Sequence, residues 1–285
     1  MTARAVVTVL GAGTMGHGIA HAAAAAGLDT RLFDVSQPIV ERGAAAIRDI
    51  VAKGVALGRI SAAQADGTLE RIVASTDLAA VLTGADFVIE AAPERIDLKI
   101  ALFAEIERFA PPRAIVTSNT SALSITEMAS TLSDPSRVAG MHFFNPVHKM
   151  RLVEIVRAVA TSDATIEAVR EMAVRMGKET VVVRESPGFI TTRINASLGN
   201  EAFYMLMEGV ASAEDIDKAL KLGLNHPMGP FELVDLVGLD TRLSILEYLH
   251  RSLGEKYRPC PLLIDYVRAG RLGRKVGRGV YEYPR

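Results

Sequence analysis

The stretch MHFFNPVHKMRLVEIVR (residues 141–157) holds two titratable side chains in apolar company. His142 closes one apolar run and Glu154 interrupts the next. Such groups are costly to bury without partners, so each calls for one. If they meet, the carboxylate fixes the tautomer of the imidazole and stabilises the imidazolium, which suits a general acid–base dyad. A His–Glu pair that only ties two strands together is the other reading of the same residues. His148 is a rival partner for Glu154.

A second stretch, VVTVLGAGTMGHGIAHAAAAAGLDTRLFD, has the spacing of a dinucleotide site. The loop Gly11, Ala12, Gly13, Thr14, Met15 and Gly16 lies between an apolar run and a helix-forming segment, and a second apolar run ends at Asp34. A lone glycine pattern is weak, but strand, loop, helix, strand and acid in this order are specific. Gly11 permits the tight turn, Gly13 the approach of a pyrophosphate, and Gly16 close helix–strand packing. The helix N-terminus offers N–H groups and positive potential to the phosphates. Asp34 suits the ribose hydroxyls, and VSQ follows it with no arginine for a 2′-phosphate, so NAD is expected over NADP. His17 and His21 read as helix-face residues.

The elements that must position these groups follow from periodicity. Residues 1–185 alternate short β-branched runs with Ala-, Glu- and Leu-rich stretches, the pattern of a parallel sheet covered by helices. Strands are expected at 5–10, 30–34, 86–91, 114–118, 137–143, 152–157 and 180–184. Most are apolar throughout, as in strands buried on both faces. His142 then sits at the C-terminal end of a strand, where doubly wound sheets bind ligands. A helix is expected from Asp163 to Gly177.

From Asp34 to the strand at Asp86 the chain uses about fifty residues, where a simple crossover needs about a dozen. The excess reads as a helical hairpin over about 37–72, broken at Gly58, with Arg48, Lys53 and Arg59 on its surface. These form either a solvated basic face or an extension of the site toward a large anion. From Ser186 and Pro187, which suit a helix cap and first position, to the end, only helical periodicity and breakers occur. That first helix should end at Gly209, and Ser212 and Asp215 have the spacing of a capping box. The fold class is therefore α/β: a Rossmann-type doubly wound sheet followed by an all-helical C-terminal domain, 186–285.

Composition narrows the function classes. The chain has 285 residues, 49% hydrophobic and 23% charged, with 32 Lys plus Arg against 33 Asp plus Glu. This balance gives no electrostatic case for nucleic acid or a membrane surface. The single cysteine, Cys260, excludes an internal disulfide and fits a reducing compartment. Neither a secretory leader nor a membrane span is read, so a cytoplasmic protein is expected. No metal is expected.

The motifs GAGTMG, DFVIEAAPER, SNTSALSIT, GMHFFNPVHKMRLVEIV, SPGFI, DKALKLGLNHPMGPFEL and GRLGRKVGRGVYEY occur in the order seen in the NAD-dependent (S)-3-hydroxyacyl-CoA dehydrogenases. Over essentially its whole length the chain resembles that family, especially its stand-alone bacterial 3-hydroxybutyryl-CoA branch. The resemblance implies that His142 is the catalytic base, Glu154 its partner, and Ser121 the residue that holds the substrate 3-oxygen. It also implies that Glu94, Lys99, Ser121, Asn145 and Lys275 contact the cofactor. Lys99 and Ser121 also fall near an acyl-CoA thioester, and Lys53 and Arg59 fall where the hairpin grips coenzyme A. A homodimer through the C-terminal domain is implied. One position departs: Thr192 stands before Arg193 where many members have asparagine. It keeps a hydroxyl but loses the reach of the amide. Two other readings keep part of this: a dehydrogenase of a non-CoA hydroxy acid or sugar acid, and a catalytically silent NAD(H)-binding relative.

Overall fold

The computed structural model describes residues 5–284. The chain divides into two compact units, Met1–Glu185 and Ser186–Arg285. The first begins with β1 (Val6–Leu10), α1 (Thr14–Ala25), β2 (Asp29–Phe33), α2 (Gln37–Ala56) and α3 (Ala62–Leu69). It continues through β3 (Ile72–Ser75), α4 (Leu78–Leu82), β4 (Phe87–Glu90), α5 (Ile96–Phe109), β5 (Ile115–Ser118) and α6 (Ile125–Ala129). It closes with β6 (Val138–Phe143), β7 (Leu152–Arg157), α7 (Asp163–Arg175) and β8 (Glu179–Arg184).

The eight strands form one sheet in the order β3-β2-β1-β4-β5-β6-β7-β8. β1 to β6 are mutually parallel, with the reversal of order around β1 that defines a doubly wound sheet. The central strands are buried on both faces: every residue of β4 and of β6 is buried. Their side chains join those of α1 and α7 in one core that includes Val9, Ile19, Leu32, Ile89, Met141, Ile155 and Val169.

Three features differ from the sequence expectation. β7 runs antiparallel to β6, and β8 is parallel to β7, so the sheet is mixed. The physical reason is the link 144–151, which is shorter than the dozen or so residues that a parallel crossover needs. The helical hairpin is shorter at its end than expected. α3 stops at Leu69, and Ile72–Ser75 is an edge strand parallel to β2. None of the four residues of β3 is buried, and its apolar run, Ile72 to Ala74, is only three residues long. Within the hairpin, Gly58 takes a left-handed φ of 64° at the break, and Ser61 with Gln64 forms a reciprocal capping box on α3.

The second unit comprises α8 (Thr191–Met207), α9 (Ala213–Gly223), α10 (Pro230–Val237), α11 (Leu239–Leu253) and α12 (Pro261–Arg268). The third difference lies at its start. Ser186 and Pro187 do not cap the first helix, because Gly188 and Phe189 adopt left-handed φ values of 74° and 50°, and helical backbone begins only at Thr191. Gly209, also left-handed, follows the end of α8 as read. Ser212 caps α9 through the Asp215 N–H. Phe203, Phe231, Leu239, Leu246 and Leu263 form the core of this unit, and Cys260 is a buried free thiol inside it. Among the described residues no helix is long and apolar enough to cross a membrane.

Candidate active site

At the C-terminal end of β1 the chain turns into α1 through the glycine loop. Gly11 has φ 106°, and a Cβ there would lie 2.5 Å from the Ala91 carbonyl oxygen at the end of neighbouring β4. A Cβ on Gly16 would lie 1.7 Å from the Gly11 oxygen, so loop and helix pack at a distance only glycine allows. Gly13 differs: a Cβ there would meet nothing within 4 Å. Gly13 is also the N-cap of α1 and provides no side-chain cap for the first-turn N–H groups. This is the cradle a pyrophosphate requires. The Ala12 N–H donates to Asp34 Oδ2 at 2.9 Å, which ties the loop to the end of β2 and leaves Oδ1 for ribose hydroxyls. Val35, 83% exposed, follows Asp34, so the next residue in the chain offers no cation to a 2′-phosphate.

His142 and Glu154 are direct cross-strand partners in the antiparallel β6–β7 pair. His142 Nδ1 lies 2.7 Å from Glu154 Oε2, and the two residues are only 6% and 0% exposed. With Nδ1–H donated to the carboxylate, the lone pair of the imidazole sits on Nε2. Two neighbours fix this geometry. Asn119 Oδ1 accepts from the Phe143 N–H at 2.9 Å, which anchors the end of β6 beside the histidine. Gly140, on the same face two residues earlier, lets Val156 approach: a Cβ there would lie 2.6 Å from that of Val156.

Ser121 follows β5 and is held by Glu94. Glu94 Oε1 accepts from the Ser121 N–H at 2.9 Å, from Ser121 Oγ at 3.2 Å and from Thr120 Oγ1 at 2.6 Å. Lys99 is enclosed beside Glu94. It is 1% exposed, and its ammonium lies 2.6 Å from Glu90 Oε1, 3.1 Å from the Ala92 oxygen and 3.6 Å from Glu94 Oε2. It therefore stands beneath Glu94 rather than on an open surface. Asn145 is exposed in the link between β6 and β7.

Lys53 and Arg59 come together on the hairpin. With His21, Arg71, His148 and Lys149 they line a cavity of about 930 Å³ whose charged lining residues are all cationic, among apolar residues such as Ile50, Leu57 and Ile60. Arg48 is exposed elsewhere on α2. His148 thus sits away from Glu154, with its ring 6.3 Å from that of His21. Burial first, then the neighbouring His148, Lys178 and His17, pushes His21 down to about 4. Desolvation and adjacent cations push His148 down as well.

In the second unit, Thr192 lies in the first turn of α8, and Arg193 donates to the Tyr257 hydroxyl at 2.6 Å. Lys275 Nζ is 2.6 Å from both oxygens of Asp240. Among the described residues no group of three or more His, Cys, Asp or Glu could hold a metal ion.

Comparison with known proteins decides the family. Residues 6–186 match the 3-hydroxyacyl-CoA dehydrogenase NAD binding domain, and residues 188–283 match the C-terminal domain of the same family. The chain belongs to the 3-hydroxyacyl-CoA dehydrogenase family. A probable 3-hydroxybutyryl-CoA dehydrogenase of Bacillus subtilis is 47% identical over 97% of this chain and 96% of its own length. The 3-hydroxybutyryl-CoA dehydrogenase of Bradyrhizobium diazoefficiens is 48% identical over 97% and 94%. The crystal structure of (S)-3-hydroxybutyryl-CoA dehydrogenase PaaH1 from Ralstonia eutropha matches with a TM-score of 0.95 and 43% identity, covering 99% of this chain and 100% of that one.

Membership makes NAD the cofactor of the first unit, and the glycine cradle and Asp34 fit it. In this member of the 3-hydroxyacyl-CoA dehydrogenases, the supporting polar groups of the first unit that sequence reasoning missed are Glu90, Ser118, Asn119 and Lys178. Lys178 Nζ donates to the carbonyls of Val147 and Met150, at 2.8 Å to the latter, and so braces the link that carries Asn145. Ser118 and Asn119 lie inside the SNTS motif and Glu90 inside DFVIEAAPER, but their partners, like those of Lys178, are remote in sequence.

Proposed function

We propose that this chain catalyses the reversible NAD-dependent oxidation of (S)-3-hydroxyacyl-CoA thioesters to 3-oxoacyl-CoA, with short-chain 3-hydroxybutyryl-CoA as substrate. The observation that carries this reading is the buried His142–Glu154 pair at 2.7 Å, at the end of the sheet where the glycine loop lies. NAD, when bound, supplies the acceptor for the hydride that leaves C3 of the substrate. His142 Nε2 takes the hydroxyl proton as the C3–O bond becomes a carbonyl, and Glu154 balances the imidazolium that results. Ser121 Oγ, held by Glu94, orients the 3-oxygen. In the reductive direction His142 returns the proton to that oxygen.

The cofactor is met by the loop Gly11–Gly16, Asp34, Glu94 and Asn145; Lys275 is a further cofactor contact, and the Thr192 hydroxyl donates to the thioester carbonyl or the 3-oxygen. Lys99 serves this site from beneath, through Glu94. Lys53 and Arg59 hold the phosphates of coenzyme A, a role supported by the cationic rim of their cavity. Residues 1–185 act as the NAD-binding domain and 186–285 as the substrate and dimerisation domain of a homodimer, which light scattering of the purified protein tests. A reducing, cytoplasmic setting is supported by the single buried thiol.

The test follows NADH consumption with acetoacetyl-CoA. Positioned acid–base help contributes about a hundred- to ten-thousandfold, so His142→Gln lowers turnover by about that factor while NADH still binds. Wild-type turnover in His142→Gln would overturn the assignment of the base. Free acetoacetate reduced as fast as its CoA thioester would overturn the substrate class.

A further inference from the structure

A fully buried charged pair of the first unit, Glu90 with Lys99, lies under this site, and the Glu90 carboxylate has no part in the chemistry described above. Glu90 closes β4, opposite Leu10 at the end of β1 and Ser118 at the end of β5. It is 0% exposed. Its Oε1 accepts from Lys99 Nζ and from the Ala92 N–H, both at 2.6 Å, and its Oε2 accepts from Ser118 Oγ. Burial pushes its carboxyl above the usual range, and Lys99, Ser118 and the Ala92 N–H work against that push.

A buried ion pair is a poor device for stability alone. Apolar residues of similar volume often serve a core as well or better, whereas removing one partner is strongly destabilising. Its worth here lies in what it holds. Through the Ala92 N–H it fixes the segment against which Gly11 packs, since a Cβ on Gly11 would meet the Ala91 oxygen at 2.5 Å and the Ala92 nitrogen at 3.1 Å. Through Lys99 it reaches Glu94. That side chain is half exposed, its Oε2 lies 3.6 Å from the Lys99 ammonium, and its Oε1 carries the three bonds from Thr120 and Ser121. A half-solvated carboxylate has rotamer freedom, and a cation anchored from below restricts it.

We propose that Glu90 is a positioning residue of the reaction: by anchoring Lys99 and the Ala92 amide it sets the place of Glu94, and through Glu94 the place of the Ser121 hydroxyl. The charge logic gives its sign. With Glu90 neutral, Lys99 is left with Glu94 as its nearest carboxylate and draws it down, away from Ser121. This proposal rests on the dehydrogenase reading for its kinetic arm but not for its structural arm.

The experiment compares wild type with Glu90→Gln, Glu94→Gln, the pair Glu90→Gln/Glu94→Gln, and the charge-neutral pair Glu90→Gln/Lys99→Met. Three quantities are read: kcat and KM with acetoacetyl-CoA, the NADH dissociation constant by fluorescence, and hydrogen exchange at the Ser121 amide, which bonds Glu94 and not Glu90. In Glu90→Gln the expected result is a kcat at saturating NADH lower by about tenfold or more and faster exchange at Ser121, with a smaller loss of NADH affinity because Glu94 and the Ala92 segment border the cofactor loop. A tenfold loss corresponds to about 1.4 kcal/mol. Adding Glu94→Gln lowers kcat little further, because both substitutions break one chain of contacts. Should Glu90→Gln fail to fold, the charge-neutral pair, which leaves no unpaired ion in the core, gives the reading, with kcat again low and Ser121 exchange again fast. A stable variant of either kind with wild-type kcat and unchanged Ser121 exchange would overturn the proposal, as would losses by Glu90→Gln and Glu94→Gln that simply multiply, or a loss explained by weaker NADH binding. An inactive wild type would instead count against the dehydrogenase reading, and exchange at Ser121 would still decide the role of Glu90.

Discussion

Gly140 and His142 lie on the same face of β6 opposite Val156 and Glu154 of β7, so the close approach that glycine permits and the His142–Glu154 hydrogen bond belong to one strand register. A strand pair pinned two residues away is what keeps an imidazole and a carboxylate at 2.7 Å.

Replacing Gly140 with alanine puts a methyl 2.6 Å from Val156 Cβ, between backbones that cannot separate without disturbing the sheet. Overpacking of this kind costs about 1–3 kcal/mol. Thermal unfolding should show a lower Tm, and turnover should fall by more than the unfolded fraction accounts for.

Glu154→Gln tests the charge of the dyad while keeping its shape. An amide in place of the carboxylate can donate to Nδ1 and favour the wrong tautomer, and it leaves the imidazolium unbalanced. Steady-state kinetics should show kcat lowered by about 10²- to 10⁴-fold, with the NADH dissociation constant little changed.

Cofactor choice rests on Asp34. The double substitution Asp34→Ala with Val35→Arg removes the carboxylate that would repel a 2′-phosphate and supplies a cation in an exposed position. The ratio of kcat/KM for NADH over NADPH should reverse or fall by at least tenfold, about 1.4 kcal/mol. An unchanged ratio would remove Asp34 from the ribose site.

Lys53→Ala with Arg59→Ala removes two cations from the rim of the hairpin cavity. KM for acetoacetyl-CoA should rise several-fold, most at low ionic strength, because exposed charges are screened beyond about 10 Å at 0.1 M salt. An analogue lacking the nucleotide phosphates should show no such rise.

His21 makes stability fall on the acid side. Its folded-state value of about 4 lies below the ordinary 6.5, so the folded chain holds it neutral while the unfolded chain binds the proton. The stability is fully present above pH 6.5 and declines as pH falls from there toward 4, by at most roughly 3 kcal/mol. His17, His148 and Lys178 all face it with the same sign of charge, and its Nδ1 is buried without a hydrogen-bond partner. Urea unfolding of His21→Gln should show a flatter acid limb than wild type between these pH values.

Much of this architecture was legible because buried parallel strands are written as short apolar runs, and the glycine loop carries its mechanics in its spacing. What escaped was set by geometry at a distance. β3 is an edge strand without a buried run, and the direction of β7 follows from a link too short for a crossover. Ser186 and Pro187 have the right types for a helix start, but the left-handed residues after them delay it. His142 and Glu154 could be named from their surroundings. Glu90 could not, since it ends an ordinary apolar run and acquires meaning only from Lys99 on α5 and Ser118 on β5.

The shared register of β6 and β7 also bears on how this protein can fail. Side chains alternate faces along a strand, so a slip of one residue turns a whole row to the opposite side. His142 would then no longer oppose Glu154, and Val156 would lose the space that Gly140 leaves for it. One register error would therefore undo both the packing of Val156 and the meeting of His142 with Glu154, so the two depend on the same strand alignment.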